Sequence, residues 1–180
     1  MSRIGRKPIT VPAGVEIKIE TNGQRFDAGV AASLAALPIR SIQISLDGDS
    51  EETYGRQRVG GSLARAHAAC RAARAANLPL EVTFAPTRLN IHQAEQVIER
   101  ARSLGAFRFN TGKLMRIGTA ARHWNKLEVD KAQYGRFFDL LERHGLRLTA
   151  IQAVIGELRP LPGALEFLRE LRAESQVLIL

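Results

Sequence analysis

Cysteine is almost absent from this sequence: Cys70 is the only one in 180 residues. A lone thiol excludes an intrachain disulfide, suits a reducing compartment such as the cytoplasm, and cannot by itself supply a site that needs several thiolates. No run of about 18 apolar residues is present, which excludes a membrane-spanning helix. The basic opening Met1-Ser-Arg-Ile-Gly-Arg-Lys7 is followed by Pro8 and Pro12 instead of an apolar run, so no secretory signal is expected. Internal repeats and low-complexity tracts are missing too. His67, His92, His123 and His144 are dispersed and form no HExxH or paired-ligand spacing, so no metal site is expected. Gly60-Gly61 has neither a GxGxxG context nor the Lys-Ser/Thr of a phosphate loop, and reads as the hinge before a helix. Asp47 to Glu52 lacks the glycine and glutamate positions of a calcium loop and reads as a solvated strand exit.

What is present is the composition of a folded chain, 45% hydrophobic and 24% charged, and long enough for one ordinary domain. The net charge of +8 favours a polyanion as partner, although many arginines sit beside glutamates, as in Glu99-Arg100 and Arg169-Glu170, and read as a solvated surface. Cys70, three residues after His67 on an Ala- and Arg-rich helix, reads as a small buried residue and not as a nucleophile.

Periodicity alternates strand and helix. Val15 to Thr21 reads as a strand, turned by Asn22-Gly23. Phe26 to Leu37 reads as a helix with Asp27 as its N-cap and Pro38 as its stop. Ser41 to Leu46 is a second strand, Ser62 to Ala76 a helix, Leu80 to Phe84 a strand, Asn90 to Leu104 a helix, and Phe107 to Asn110 a short strand. Helices are expected over Lys131 to His144, Thr149 to Glu157 and Gly163 to Ala173, and a terminal buried strand at Val177 to Leu180. Such alternation predicts an α/β fold: a partial β/α barrel or an open parallel sheet of about four to five strands with flanking helices.

Three segments carry resemblances. Met1 to Ile19 resembles the N-terminus of the sixth protein of the bacterial large ribosomal subunit, a likeness that implies weak, salt-sensitive attraction to RNA. Residues 20–135, through Thr21-Asn-Gly23, Ser45-Leu-Asp-Gly48 and Lys113-Leu-Met-Arg-Ile-Gly118, resemble the radical S-adenosylmethionine (SAM) superfamily, nearest its peptide- and cofactor-maturing members. Leu140 to Gln152 and Leu158 to Phe167, within residues 136–180, resemble the phosphoserine phosphatase and homoserine phosphotransferase group of the haloacid dehalogenase superfamily. In that group the last strand leads to a phosphate-binding serine, and the sequence ends before one. Three likenesses in series give the chain a chimeric reading.

The radical SAM resemblance implies a six-stranded partial barrel with a [4Fe–4S] cluster and SAM at the C-terminal ends of its strands. It begins near the family's third strand, so the first two strands, the CxxxCxxC loop and the Gly-Gly-Glu motif are expected to be absent. By resemblance, Ser45, Asp47 and Met115 fall at SAM-contacting positions, and Thr21 and Arg88 at substrate-facing ones. Arg116 stands where the family usually has proline. One thiolate does not ligate the cluster. The expectation is therefore a non-catalytic α/β scaffold with no cofactor, or at most weakly bound SAM. Two alternatives stand beside it: a radical SAM-type subunit completed by a partner chain or a second copy through an exposed sheet edge, and a basic RNA-binding protein with weak, non-specific nucleic-acid affinity.

Overall fold

A computed structural model describes residues 12–146 together with Gly163, Glu166, Phe167, Arg169 and Glu170. The chain divides into two compact units, Met1–Phe137 and Phe138–Leu180. In the first unit, β1 (Ile17–Thr21) leads to α1 (Ala28–Ala35), which starts where Asp27 accepts the Val30 N–H at 2.8 Å. β2 (Ile39–Ser45) is followed by α2 (Glu51–Gln57) and α3 (Leu63–Ala75), capped by Ser50 and Ser62. β3 (Leu80–Phe84) leads through a 3-10 turn at Ile91–Gln93 into α4 (Ala94–Ser103), and β4 (Arg108–Thr111) closes the series. Two short helices, α5 (Gly118–Arg122) and α6 (Trp124–Leu127), precede α7 (Lys131–Arg143), which begins in the first unit and ends in the second. Gly145, at φ 77°, and the Leu146 N–H bonded back to the Leu141 carbonyl end α7.

The four strands are parallel and lie in the order β1-β2-β3-β4. Each right-handed crossover steps the same way along the sheet, so the helices fall on one face. That winding is the wall of a β/α barrel; a doubly wound sheet would reverse its strand order. The register aligns Ile19, Ile42, Ile44, Val82, Phe84 and Phe109 toward the helices, where Ala66, Ala69, Cys70, Ala73, Val97 and Ile98 complete the core. The opposite face is polar: Lys18, Glu20, Gln43, Ser45, Glu81, Thr83, Arg108 and Asn110.

The expected α/β class and parallel sheet are observed. Most boundaries move by one to three residues: β1 starts at Ile17, not Val15, and the segment from Asn90 opens as a 3-10 turn before α4. The polar run Asp47 to Glu52 is corrected more substantially. Its last two residues begin α2, because the Ser50 hydroxyl accepts the Thr53 N–H and Glu51 and Glu52 sit at the positive end of the helix. Asp47 is buried, not solvated. Gly61 sits tight against Tyr54 and the Arg58 carbonyl, where a Cβ would come within 3.0 Å of both. Of the helix expected over Gly163 to Ala173, the described residues Glu166, Phe167, Arg169 and Glu170 are helical. The helix at Thr149 to Glu157 and the strand at Val177 to Leu180 lie outside the described residues, as does most of Met1 to Ile19. No helix among the described residues is long and apolar enough to cross a membrane.

Candidate functional site

In a barrel wall the loops after the C-terminal strand ends are where ligands meet side chains from several strands. Here those ends are Thr21, Ser45, Phe84 and Thr111. The register separates two of the five residues singled out in the sequence. Thr21 pairs with Ile44 and therefore lies on the helix-facing side, where its Oγ1 accepts the Gly23 N–H at 3.1 Å. Ser45 pairs with Thr83 and lies on the polar side.

Asp47 is a tie between loops. Its Oδ1 accepts the Ala85 N–H at 2.8 Å, its Oδ2 accepts the Arg58 Nε–H at 2.5 Å, and its backbone carbonyl accepts Asn90 Nδ2 at 3.1 Å. Both carboxylate oxygens thus have protein partners, at a residue only 2% exposed. Asn90 completes the tie: its Nδ2 also reaches the Ala85 carbonyl, and its Oδ1 accepts from the Thr87 backbone at 2.7 Å. Gln93 adds a third strut, accepting the Asp49 N–H at 2.8 Å.

Arg88 is exposed, and its side chain binds a helix end. Its Nε and Nη1 donate to the carbonyls of Glu128 and Asn125 at 3.0 and 3.1 Å, while its backbone N–H reaches the Leu127 carbonyl. A cation on the last carbonyls of α6 is favourably placed by the helix dipole. Met115, on the loop after β4, is 68% exposed. The structure therefore sets Ser45 at the end of β2, Asp47 on the loop that follows it and Met115 on another loop, and engages Thr21, Asp47 and Arg88 in contacts within the protein.

Residues not singled out in the sequence build the polar face. The Glu81 carboxylate accepts from Asn110 Nδ2 at 2.7 Å and Lys18 Nζ at 3.0 Å, with Arg108 Nη1 at 3.5 Å. Asn110 Nδ2 also donates to Gln43 Oε1 at 3.0 Å, so the network crosses all four strands. Burial alone pushes the Glu81 carboxyl up, but the bonds from Asn110 and Lys18 outweigh it and hold it below the usual value of 4.5. A depressed native value means the unfolded chain binds the extra proton in acid, so stability falls as pH drops below about 4.5 through the native titration. Glu81→Gln should flatten that acid limb in urea midpoints measured between pH 6 and 3. An acid limb identical in the variant would contradict the network.

Two further features bear on ligands. Glu51 reaches across from α2 to accept from the Leu63 and Ala64 N–H groups and the Ser62 hydroxyl, so the N-terminus of α3 already holds a carboxylate. The backbone bonds from Ala64 and then Leu63 hold Glu51 below the usual carboxylate value. Cys70 lies buried on α3 against the sheet, and burial pushes its thiol up to about 12. A thiol so placed carries negligible thiolate near neutrality, and with no second cysteine in the sequence the residues present do not fit a [4Fe–4S] cluster. Among the described residues, no three His, Cys, Asp or Glu side chains group as metal ligands would.

No protein-family model matches the chain. Over 135 residues it is 33% identical to the mycofactocin maturase MftC of Mycobacterium ulcerans, a match covering 74% of this chain and 36% of that protein. It is 25% identical over 162 residues to the AdoMet-dependent heme synthase of Methanosarcina barkeri, covering 81% of this chain and 46% of the relative. Among solved structures, Streptococcus suis SuiB bound to the precursor peptide SuiA superposes with a TM-score of 0.54 at 13% identity, over 73% of this chain and 30% of SuiB, and so shares the fold. A short match, 56% identical over 41 residues, joins 23% of this chain to 17% of a Pseudomonas syringae phosphoserine phosphatase. The haloacid dehalogenase likeness has no support beyond that short match, and the ribosomal-protein likeness of residues 1–19 has none in these comparisons. The chain spans less than half of the maturase and heme synthase it matches, and over that span it is an α/β domain similar to part of the radical SAM maturases.

Proposed function

We propose that this chain is a non-catalytic β/α scaffold of the radical SAM kind. The observation that carries the reading is Cys70, a single thiol buried in the helix–sheet core where it cannot join a cluster. In the radical SAM superfamily the cluster supplies the electron for SAM cleavage; this chain's own residues hold loops in place instead. Asp47, Asn90 and Arg58 lock the β2 and β3 exits together, and Arg88 fastens the β3 exit to α6. Residual SAM binding would fall to Ser45 and Met115, with Asp47 as a positioning residue. Anaerobic reconstitution with ferrous iron and sulfide tests this directly. After desalting, iron should stay at background and be unchanged in Cys70→Ser; uptake of about four irons per chain, the content of one cluster, would overturn the reading.

A second reading, a radical SAM-type maturation subunit completed by another chain or a second copy, is favoured by β1. Its one ladder is to β2, and among the described residues no strand pairs with its other edge. An edge that the described residues leave unpaired is a template for another strand. Light scattering across a concentration series supports this reading if the mass exceeds one chain, and a monomer that gains no iron with candidate partners removes it.

A further inference from the structure

Between Arg100 and Leu127 the sequence carries seven cations and no carboxylate. Three of them are spoken for: Arg100 pairs with Asp49, Arg102 with Glu99 and Arg108 with Glu81. The other four, Lys113, Arg116, Arg122 and Lys126, are exposed, and among the described residues none pairs with a carboxylate. They lie on one short stretch, the β4 exit with α5 and α6. Two of them sit over aromatic rings: the Arg116 guanidinium lies 6.0 Å from the Trp124 ring centre, and the Lys113 ammonium 6.0 Å from that of Tyr134. Between them Met115 and Ile117 stand 68% and 65% exposed.

Exposed cations interleaved with rings and apolar side chains match a strand of phosphates and flat bases. Each nucleotide brings one negative charge and one π-face, and rings with cations beside them serve both. An acidic peptide offers the charge without the stacking. A membrane surface calls for a long amphipathic helix, whereas α5 and α6 have five and four residues. We propose that residues 113–126, which include Met115 of the SAM-contacting positions, form a contact surface for single-stranded nucleic acid that does not involve residues 1–19.

The test uses the full chain and labelled oligo-U and oligo-dT of about twelve nucleotides, within the usual site size for such surfaces. Trp124 is the sole tryptophan, so its fluorescence reports this surface alone. Binding should quench it, and affinity should fall with salt at a log–log slope of about −3, as four phosphate contacts to a single strand require. Lys113→Ala with Arg116→Ala should lower that slope by about 1.4 units. Should that pair melt early, Arg122→Ala with Lys126→Ala carries the same expectation. Tighter oligo-U than oligo-dT would mark RNA as the partner, and equal affinity would mark single strands of either kind; both support the proposal. Absent binding, an unquenched Trp124 at saturation, a slope the variants leave unchanged, or equal quenching by polyglutamate or by anionic phosphatidylserine vesicles would overturn it.

Discussion

Asp47→Ala is expected to lower stability by about 3 kcal/mol, read as a fall in the urea midpoint at pH 7. The substitution strips the Ala85 N–H of its acceptor next to a buried strand end, a loss of about 1–3 kcal/mol for an orphaned donor. It also leaves the Arg58 guanidinium without the carboxylate it binds. Removing one partner of a fully buried pair costs about 3–5 kcal/mol, but the Arg58 side chain is 32% exposed, so water recovers part of that term. Asp47→Asn keeps an acceptor for Ala85 and should lose about half as much. The comparison bears on function as well as stability. A loss below about 0.5 kcal/mol would mean that the carboxylate is not committed to the loops and is free for a ligand, against the positioning role assigned here.

Phe84→Ala should cost about 4 kcal/mol. Phe84 is fully buried at the end of β3, with ring centres of Phe109 at 6.4 Å and Phe137 at 6.0 Å. Truncation removes the apolar burial, both ring pairs and the packing of α7 on the sheet within the first unit, and it opens a cavity the surrounding strands cannot close. Since a native domain commonly holds about 5–15 kcal/mol, the variant should unfold at a much lower urea concentration with an unchanged slope. A change in slope instead would show that the aromatic cluster is not part of one cooperative core.

How much of this was legible in the sequence depended on the range of the forces involved. Leu80 to Phe84 reads as a strand from alternation alone, and that is the observed strand. Asp27 announces a helix start because a cap is a local bond within three residues. Helix α2 was hidden, since Glu51 to Gln57 carries few apolar residues and a central glycine, and its start depends on a serine cap inside a run that reads as solvated loop. The loop role of Asp47 was hidden for a different reason: its partners, Arg58, Ala85 and Asn90, lie 11 to 43 residues away. The polar network of Lys18, Gln43, Glu81 and Asn110 required knowing which strands are neighbours and in what register. Alternation assigns each residue to a face of its own strand, but only the register shows that Ser45 and Thr21 lie on opposite faces.

The first measurement is a thermal melt of the purified chain, with and without millimolar SAM. One cooperative transition from the β/α wall is expected, at the same temperature in both samples, because Asp47, Arg88 and Thr21 are bound within the protein and a single buried thiol does not supply a cluster's ligands. A transition that rises with SAM would contradict it, since a ligand raises stability only by binding the native state, and the strand ends at Ser45 and the Met115 loop would then form a working cofactor site.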